Sequence, residues 1–100
     1  MRLEWSQHAV QDRNDIFDFI EQHSPGAAVW IDSRIHQQLR ALLRHPASGR
    51  LGRVRGTREL VITRTPYIAA YRLLPMRVRV LRILHSAQQW PDISQERSRH

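Results

Sequence analysis

The chain predicts an α/β domain of the α+β kind: an antiparallel sheet with an N-terminal two-helix hairpin on one face, in the order β-α-α-β-β-β. Three observations carry this expectation. Apolar residues recur at helical spacing through the first half of the chain. After Pro46 and three glycines, at 49, 52 and 56, the pattern changes to runs rich in β-branched and aromatic residues. Links of turn size separate those runs, which favours a meander.

Residues 1–5, MRLEW, alternate Leu3 and Trp5 with Arg2 and Glu4, as a short strand does. Ser6 is suited to cap the helix that follows. Over residues 7–23, Val10, Arg13, Ile16, Phe17 and Ile20 form the predicted inner stripe, and Asp12, Asp15, Asp18 and Glu21 take the outer faces. The HSPG segment breaks this helix and starts another. Ser24 offers a capping hydroxyl, and Pro25 suits the first helical position because its missing N–H would be unpaired there anyway. Ala28, Ile31, Ile35, Leu39 and Leu42 mark one stripe of a second helix over about 25–44, which Pro46 ends. A link this short makes the two helices a hairpin.

The segment HPASGRLGRVRG reads as a loop with room for a short extended piece. TRELVIT, YIAAYRLL and VRVLRILH are the three strands, linked by RTP and PMR. The final SQERSRH is polar, so residues 1–92 are assigned to the domain and 93–100 to a tail.

One hundred residues suit one domain, and a 41% hydrophobic content supports a packed core. With no cysteine there are neither disulfides nor thiolate metal sites. No run is long and apolar enough to span a bilayer, and the N-terminus lacks a signal pattern; the expectation is a soluble cytoplasmic protein without a membrane partner. All sixteen basic side chains are arginine. Residues 1–23 hold two arginines against five acids, a net of −3, whereas residues 34–82 hold twelve against Glu59 alone, a net of +11. A block so charged attracts a polyanion or an acidic protein.

Residues 56–91, GTRELVITRTPYIAAYRLLPMRVRVLRILHSAQQWP, carry a resemblance to a known family. Gly56-x-Arg58-Glu59-Leu60, then Tyr67-Ile68 leading to Tyr71-Arg72, then Val80-x-x-Ile83-x-His85 before Trp90-Pro91, resemble the C-terminal half of the RelE/ParE superfamily of bacterial type II toxins. The N-terminal strand and helical hairpin fit the same layout, so the resemblance covers about residues 1–92. It implies a growth-inhibiting toxin of a toxin-antitoxin system, of the kind associated with plasmid stabilisation, neutralised by an acidic cognate antitoxin that folds over it.

RelE-like members cut messenger RNA on the ribosome; ParE-like members are described as poisoning DNA gyrase. Metal-free RNA cleavage needs a base, an acid and cations that hold the phosphate. In this chain the nuclease candidates are Arg58 and Arg82 as a phosphate clamp and His85 as the proton carrier. Two departures oppose that set. No tyrosine lies beyond Tyr71, and the loop before Arg58 has arginines where many of the nucleases have lysines; arginine keeps its proton and makes a poor base. Strand alternation also sets His85 with Ile83 and Leu81, but Arg82 with Val80 and Leu84, on opposite faces unless a bulge intervenes.

The sequence therefore favours the ParE-like branch, a non-enzymatic toxin that binds a macromolecule, with DNA gyrase as the expected target. The alternative is a ribosome-dependent endoribonuclease acting on mRNA through Arg58 and His85. A third reading is an adaptor that keeps the scaffold without toxicity. Arg50, Arg53, Arg55, Arg58, Arg72 and Trp90 are the candidate contacts to target or antitoxin. Beside these stand plainer readings: His85 as a hydrogen-bonded strand end, Glu59 paired with an arginine of a neighbouring strand, Tyr67 and Tyr71 packed in the sheet, Trp90 closing the core edge, and Trp5 and Trp30 as core or interface anchors. His8, His23, His36 and His45 lack ligand spacing, so neither metal nor cofactor is expected.

Overall fold

A computed structural model describes residues 1–91, so the expected tail at 93–100 lies outside the described residues. Strand β1 (Arg2–Trp5) leads into helices α1 (Gln7–Glu21) and α2 (Pro25–Ala41). Strands β2 (Arg50–Leu51), β3 (Arg58–Val61), β4 (Tyr67–Leu74) and β5 (Arg77–His85) follow. They form one sheet in the order β1-β5-β4-β3-β2.

The meander from β2 to β5 is antiparallel, as the turn-sized links require. The N-terminal strand is the exception. Leu3 pairs with Val78 and Trp5 with Val80 in parallel register, so the sheet is mixed. A parallel neighbour needs a long crossover, and here most of the chain, including the helical hairpin, lies between the two strands. The segment around residue 50 is a true two-residue strand against β3, with Arg50 opposite Glu59.

Both helices start where capping chemistry places them. Ser6 accepts the N–H of Ala9 at 3.0 Å, and Ser24 accepts that of Ala27 at 3.2 Å. Ser6 also donates its hydroxyl to Leu81 O and its own N–H to Val80 O, both at 2.9 Å, which ties the start of α1 to β5. Helix α2 ends at Ala41 rather than about 44, and its carbonyls are met by tight turns through His45 before Pro46. Arg13 of α1 makes a bidentate pair with Asp32 of α2, at 2.6 and 3.0 Å, closing the hairpin.

The core lies between the hairpin and the inner face of the sheet: Ala9, Ile35 and Leu39 against Tyr67, Ala69, Tyr71, Val78, Val80 and Ile83. The α2 stripe is as expected, with Ala28, Ile35, Leu39 and Leu42 buried. The α1 stripe is rotated. Ala9 is fully buried and Ile16 and Ile20 pack on the core, whereas Val10 is 44% exposed. Asp12, expected outside, lies on the same line as Ala9 and Ile16, and its side chain is 13% exposed.

Strand β5 carries a bulge. Tyr71 pairs with Val80 and Ala70 with Arg82, which leaves Leu81 without a partner on β4. The extra residue reverses the alternation along the strand. His85 shares the inner face with Ile83, Val80 and Val78, not with Leu81.

Candidate functional site

The sequence-predicted residues fall into separate places. Arg58 extends from β3 toward the loop after α2, where its Nη1 donates to Gly49 O at 2.8 Å and Ala47 O at 3.2 Å. Tyr71, the register partner of Arg58, donates its hydroxyl to Pro46 O at 2.7 Å and accepts the Gly49 N–H at 2.9 Å. Together they hold the 46–49 loop against the sheet. Gly49 is required there: a Cβ would come within 2.6 Å of Tyr71 Oη and 2.9 Å of Glu59 O. Burial pushes the Tyr71 hydroxyl above its ordinary value, opposed by the Gly49 hydrogen bond and the Arg58 charge.

Arg82 reaches α1. Its Nε and Nη2 donate to the two carboxylate oxygens of Asp12 at 2.7 and 3.1 Å, and the Ile83 N–H donates to Asp12 Oδ2 at 3.0 Å. Strand β1 ends at Trp5, opposite Val80, so β5 beyond that point has no strand neighbour on this side. Asp12 supplies the missing acceptor to that bare edge.

His85 closes β5. Its Nδ1 accepts the Ala87 N–H at 3.1 Å, and its carbonyl accepts the Gln88 N–H at 2.8 Å. Its ring meets that of Tyr67 edge-on, with centroids 5.8 Å apart. Because Nδ1 is the acceptor, the neutral ring carries its proton on Nε2. Burial raises the Tyr67 hydroxyl as well.

Register keeps Arg82, paired with Ala70, and His85, paired with Tyr67, on opposite faces of β5. Both nonetheless border one shallow cavity of about 370 Å³, with Asp12, Asp15, Tyr67 and Gln88. Arg58 is not part of it. Its partner Tyr71 and His85's partner Tyr67 are four residues apart on β4, and β3 and β5 flank that strand on opposite sides. Strand geometry then sets Arg58 and His85 roughly 16 Å apart.

Glu59 pairs with a neighbouring strand's arginine as expected, and the network is larger than that. The carboxylate, 1% exposed, receives Arg50 Nη2 at 3.4 Å, Arg53 Nε at 3.3 Å and the Arg53 N–H at 2.9 Å. Arg53 Nη1 also donates to Gln88 O at 3.0 Å, joining the 52–57 loop to the segment after β5. Arg55 and Arg72 are exposed and make no ion pair among the described residues, and Trp90 is half-buried. Trp5 packs on the core with Arg13 5.1 Å above its ring, whereas Trp30 is 47% exposed beside Arg34.

A larger cavity of about 690 Å³ lies between β1, α1 and α2, lined by Trp5, Val10, Asn14 and Phe17 around the Arg13–Asp32 pair. Helical periodicity hides this cavity, because it places Val10 and Phe17 on the inner stripe of α1. Among the described residues no group of three or more His, Asp or Glu could hold a metal ion, and no helix is long and apolar enough to cross a membrane.

Residues 3–90 match the family model described as the ParE toxin of type II toxin-antitoxin systems, parDE. The chain belongs to the ParE toxin family. It is 40% identical over 92 residues to Y4kP of Sinorhizobium fredii, covering 92% of this chain and 95% of that protein. It is 34% identical over 84 residues to toxin RelE2 of Caulobacter vibrioides, covering 84% and 93%. Among solved structures, a chain of the chromosomal ParDE TA system from P. aeruginosa superposes with a TM-score of 0.78 at 28% identity, covering 85% of this chain and 95% of that one. The ParE family thus accounts for the strand, hairpin and meander order found here.

Proposed function

We propose that this ParE-family chain arrests growth by binding DNA gyrase in the cytoplasm and is held inactive by a cognate antitoxin. The observation that carries the reading is the employment of the would-be catalytic side chains. Arg58 is engaged by two loop carbonyls, Arg82 by Asp12, and His85 Nδ1 by the Ala87 N–H. The Arg58 and Arg82 contacts tie a loop and a helix to the sheet, while the His85 contact leaves Nε2 without a hydrogen bond among the described residues. A phosphate clamp would require Arg58 and Arg82 to leave their present partners and converge.

The antitoxin half of the proposal draws on the ParDE neighbour and on charge. Residues 34–82 carry a net of +11, which suits an acidic partner. Arg55, Arg72 and Trp90 are the candidate contacts that remain accessible for it, with Arg50 and Arg53 already committed to Glu59.

The competing endoribonuclease reading is favoured by one observation, the shared cavity of Arg82, His85 and Tyr67. The two separate in one experiment. On induction, supercoiling by gyrase should fall and the DNA-damage response should rise while mRNA stays intact. Prompt mRNA cleavage with gyrase activity unchanged would sink the gyrase reading and favour the other.

A further inference from the structure

The outer face of the β4–β5 hairpin, away from the helices, holds an arrangement that core packing does not explain. Arg72 and Arg79 stand directly opposite each other across the two strands. Both are exposed and neither makes an ion pair among the described residues, although Glu4 of β1 is the register partner of Arg79 on its other side. Like charges facing each other on adjacent strands are destabilising. Arg77 lies on the same face two residues from Arg79, and Arg2 of β1 is its register partner. Glu4 is the single acid in this cluster, 3.1 Å from Arg77 Nε and 4.0 Å from Arg2 Nη2.

The turn at the end of this hairpin adds an independent observation. Leu74 and Arg77 are paired, so Pro75 and Met76 form a two-residue loop. Proline fixes a negative φ at the first position, and Met76 then takes φ 62° at the second, a pattern that favours glycine there. A residue other than glycine is uncommon in this region; among the described residues Arg64, at φ 65°, is the other non-glycine case. Met76 is 74% exposed, so its side chain contributes little packing to the chain itself.

We infer that this hairpin binds duplex DNA, with Arg72 and Arg79 on the phosphate backbone and Met76 pressed into the groove ahead of them. A cluster of arginines with one acid meets the charge of a polyanion, and the cost of placing Arg72 against Arg79 is recovered when phosphates lie between them. The apolar content at the tip suits a wedge between base steps more than the core of a protein interface, which needs a broad buried patch. The acidic α1 lies on the other side of the sheet, so the charge asymmetry orients the molecule with this face toward DNA. The inference is independent of gyrase: loss of either leaves the other standing.

Anisotropy of a fluorescent DNA duplex titrated with purified chain, from about 50 to 200 mM salt, tests it. Arg72→Ala/Arg79→Ala should lower the slope of log K against log salt by about 1.8, two phosphate contacts' worth, with a thermal midpoint at or above the wild type. The charge-matched Arg40→Ala/Arg44→Ala, at the far end of α2, should leave the slope near the wild-type value. Met76→Gly should keep the slope, raise the midpoint and weaken binding. An equal slope change in both arginine pairs would reduce the effect to net charge and overturn the inference. So would binding by Met76→Gly as tight as wild type, or polyglutamate displacing the chain as well as the duplex does, which would reassign the face to an acidic polypeptide.

Discussion

Arg82 and Asp12 form a bidentate pair across 70 residues of sequence, and the same carboxylate accepts the Ile83 N–H. Both side chains are largely withdrawn from water, at 17% and 13% exposure. Removing one partner therefore strands the other, and Asp12→Ala should cost about 2–4 kcal/mol. Arg82→Ala should cost somewhat less, since the Ile83 N–H keeps its acceptor. The double variant should lose less than the two singles together, with a coupling of about 0.5–3 kcal/mol in urea unfolding. An Arg82→Ala protein that keeps its stability but no longer arrests growth would move Arg82 from the fold to the target.

The turn after β5 gives the second test. His85 contributes Nδ1 and a carbonyl to an exposed turn, so His85→Ala should cost only about 0.5–1.5 kcal/mol, the net worth of a typical hydrogen bond. Growth arrest on induction should persist. If arrest vanished while the urea midpoint stayed within that range, His85 would be contacting the target or substrate directly.

How much of this was legible in the sequence differs between elements for physical reasons. The α2 stripe could be read because Ala28, Ile35, Leu39 and Leu42 recur at helical spacing and are all buried. The α1 stripe could not, because Asp12 sits inside it, satisfied by an arginine 70 positions away. The usable signal was positional: Ala9, Asp12 and Ile16 lie on one line, and an acid on a buried line must have a partner. The parallel seating of β1 and the Leu81 bulge are relations between distant segments, invisible to local periodicity. Glu59 was readable from alternation alone, since that places it on the face where a neighbouring arginine can reach it.

Glu59 anchors the third prediction. Its buried carboxylate holds Arg50, Arg53 and one backbone N–H. Glu59→Gln keeps the shape but loses the charge that gathers two guanidinium groups. It should cost about 1–3 kcal/mol and speed hydrogen exchange at the Arg53 amide more than at Ile35. Equal acceleration at both amides would mean global destabilisation rather than release of the 52–57 loop.

Tyr71 joins the sheet to the 46–49 loop, and its chemistry makes that joint sensitive to alkali. Burial raises its hydroxyl above 10.0 in the folded chain, with the Gly49 hydrogen bond and Arg58 pulling the other way. On unfolding the group returns to its ordinary value, so between the two values the unfolded chain holds fewer protons. The contribution is therefore fully present below about pH 10 and is lost as pH rises through the folded value. Ionisation also removes the proton that Tyr71 donates to Pro46 O. Tyr71→Phe should cost about 1–3 kcal/mol at neutral pH, by stranding the Gly49 N–H and the Pro46 carbonyl, and should flatten the alkaline limb of the stability curve. Tyr67, also raised by burial, leaves a residual slope in that variant. Chemical unfolding followed from neutral pH to beyond pH 10 in both proteins decides it: identical alkaline limbs would show that Tyr71 is not the group responsible.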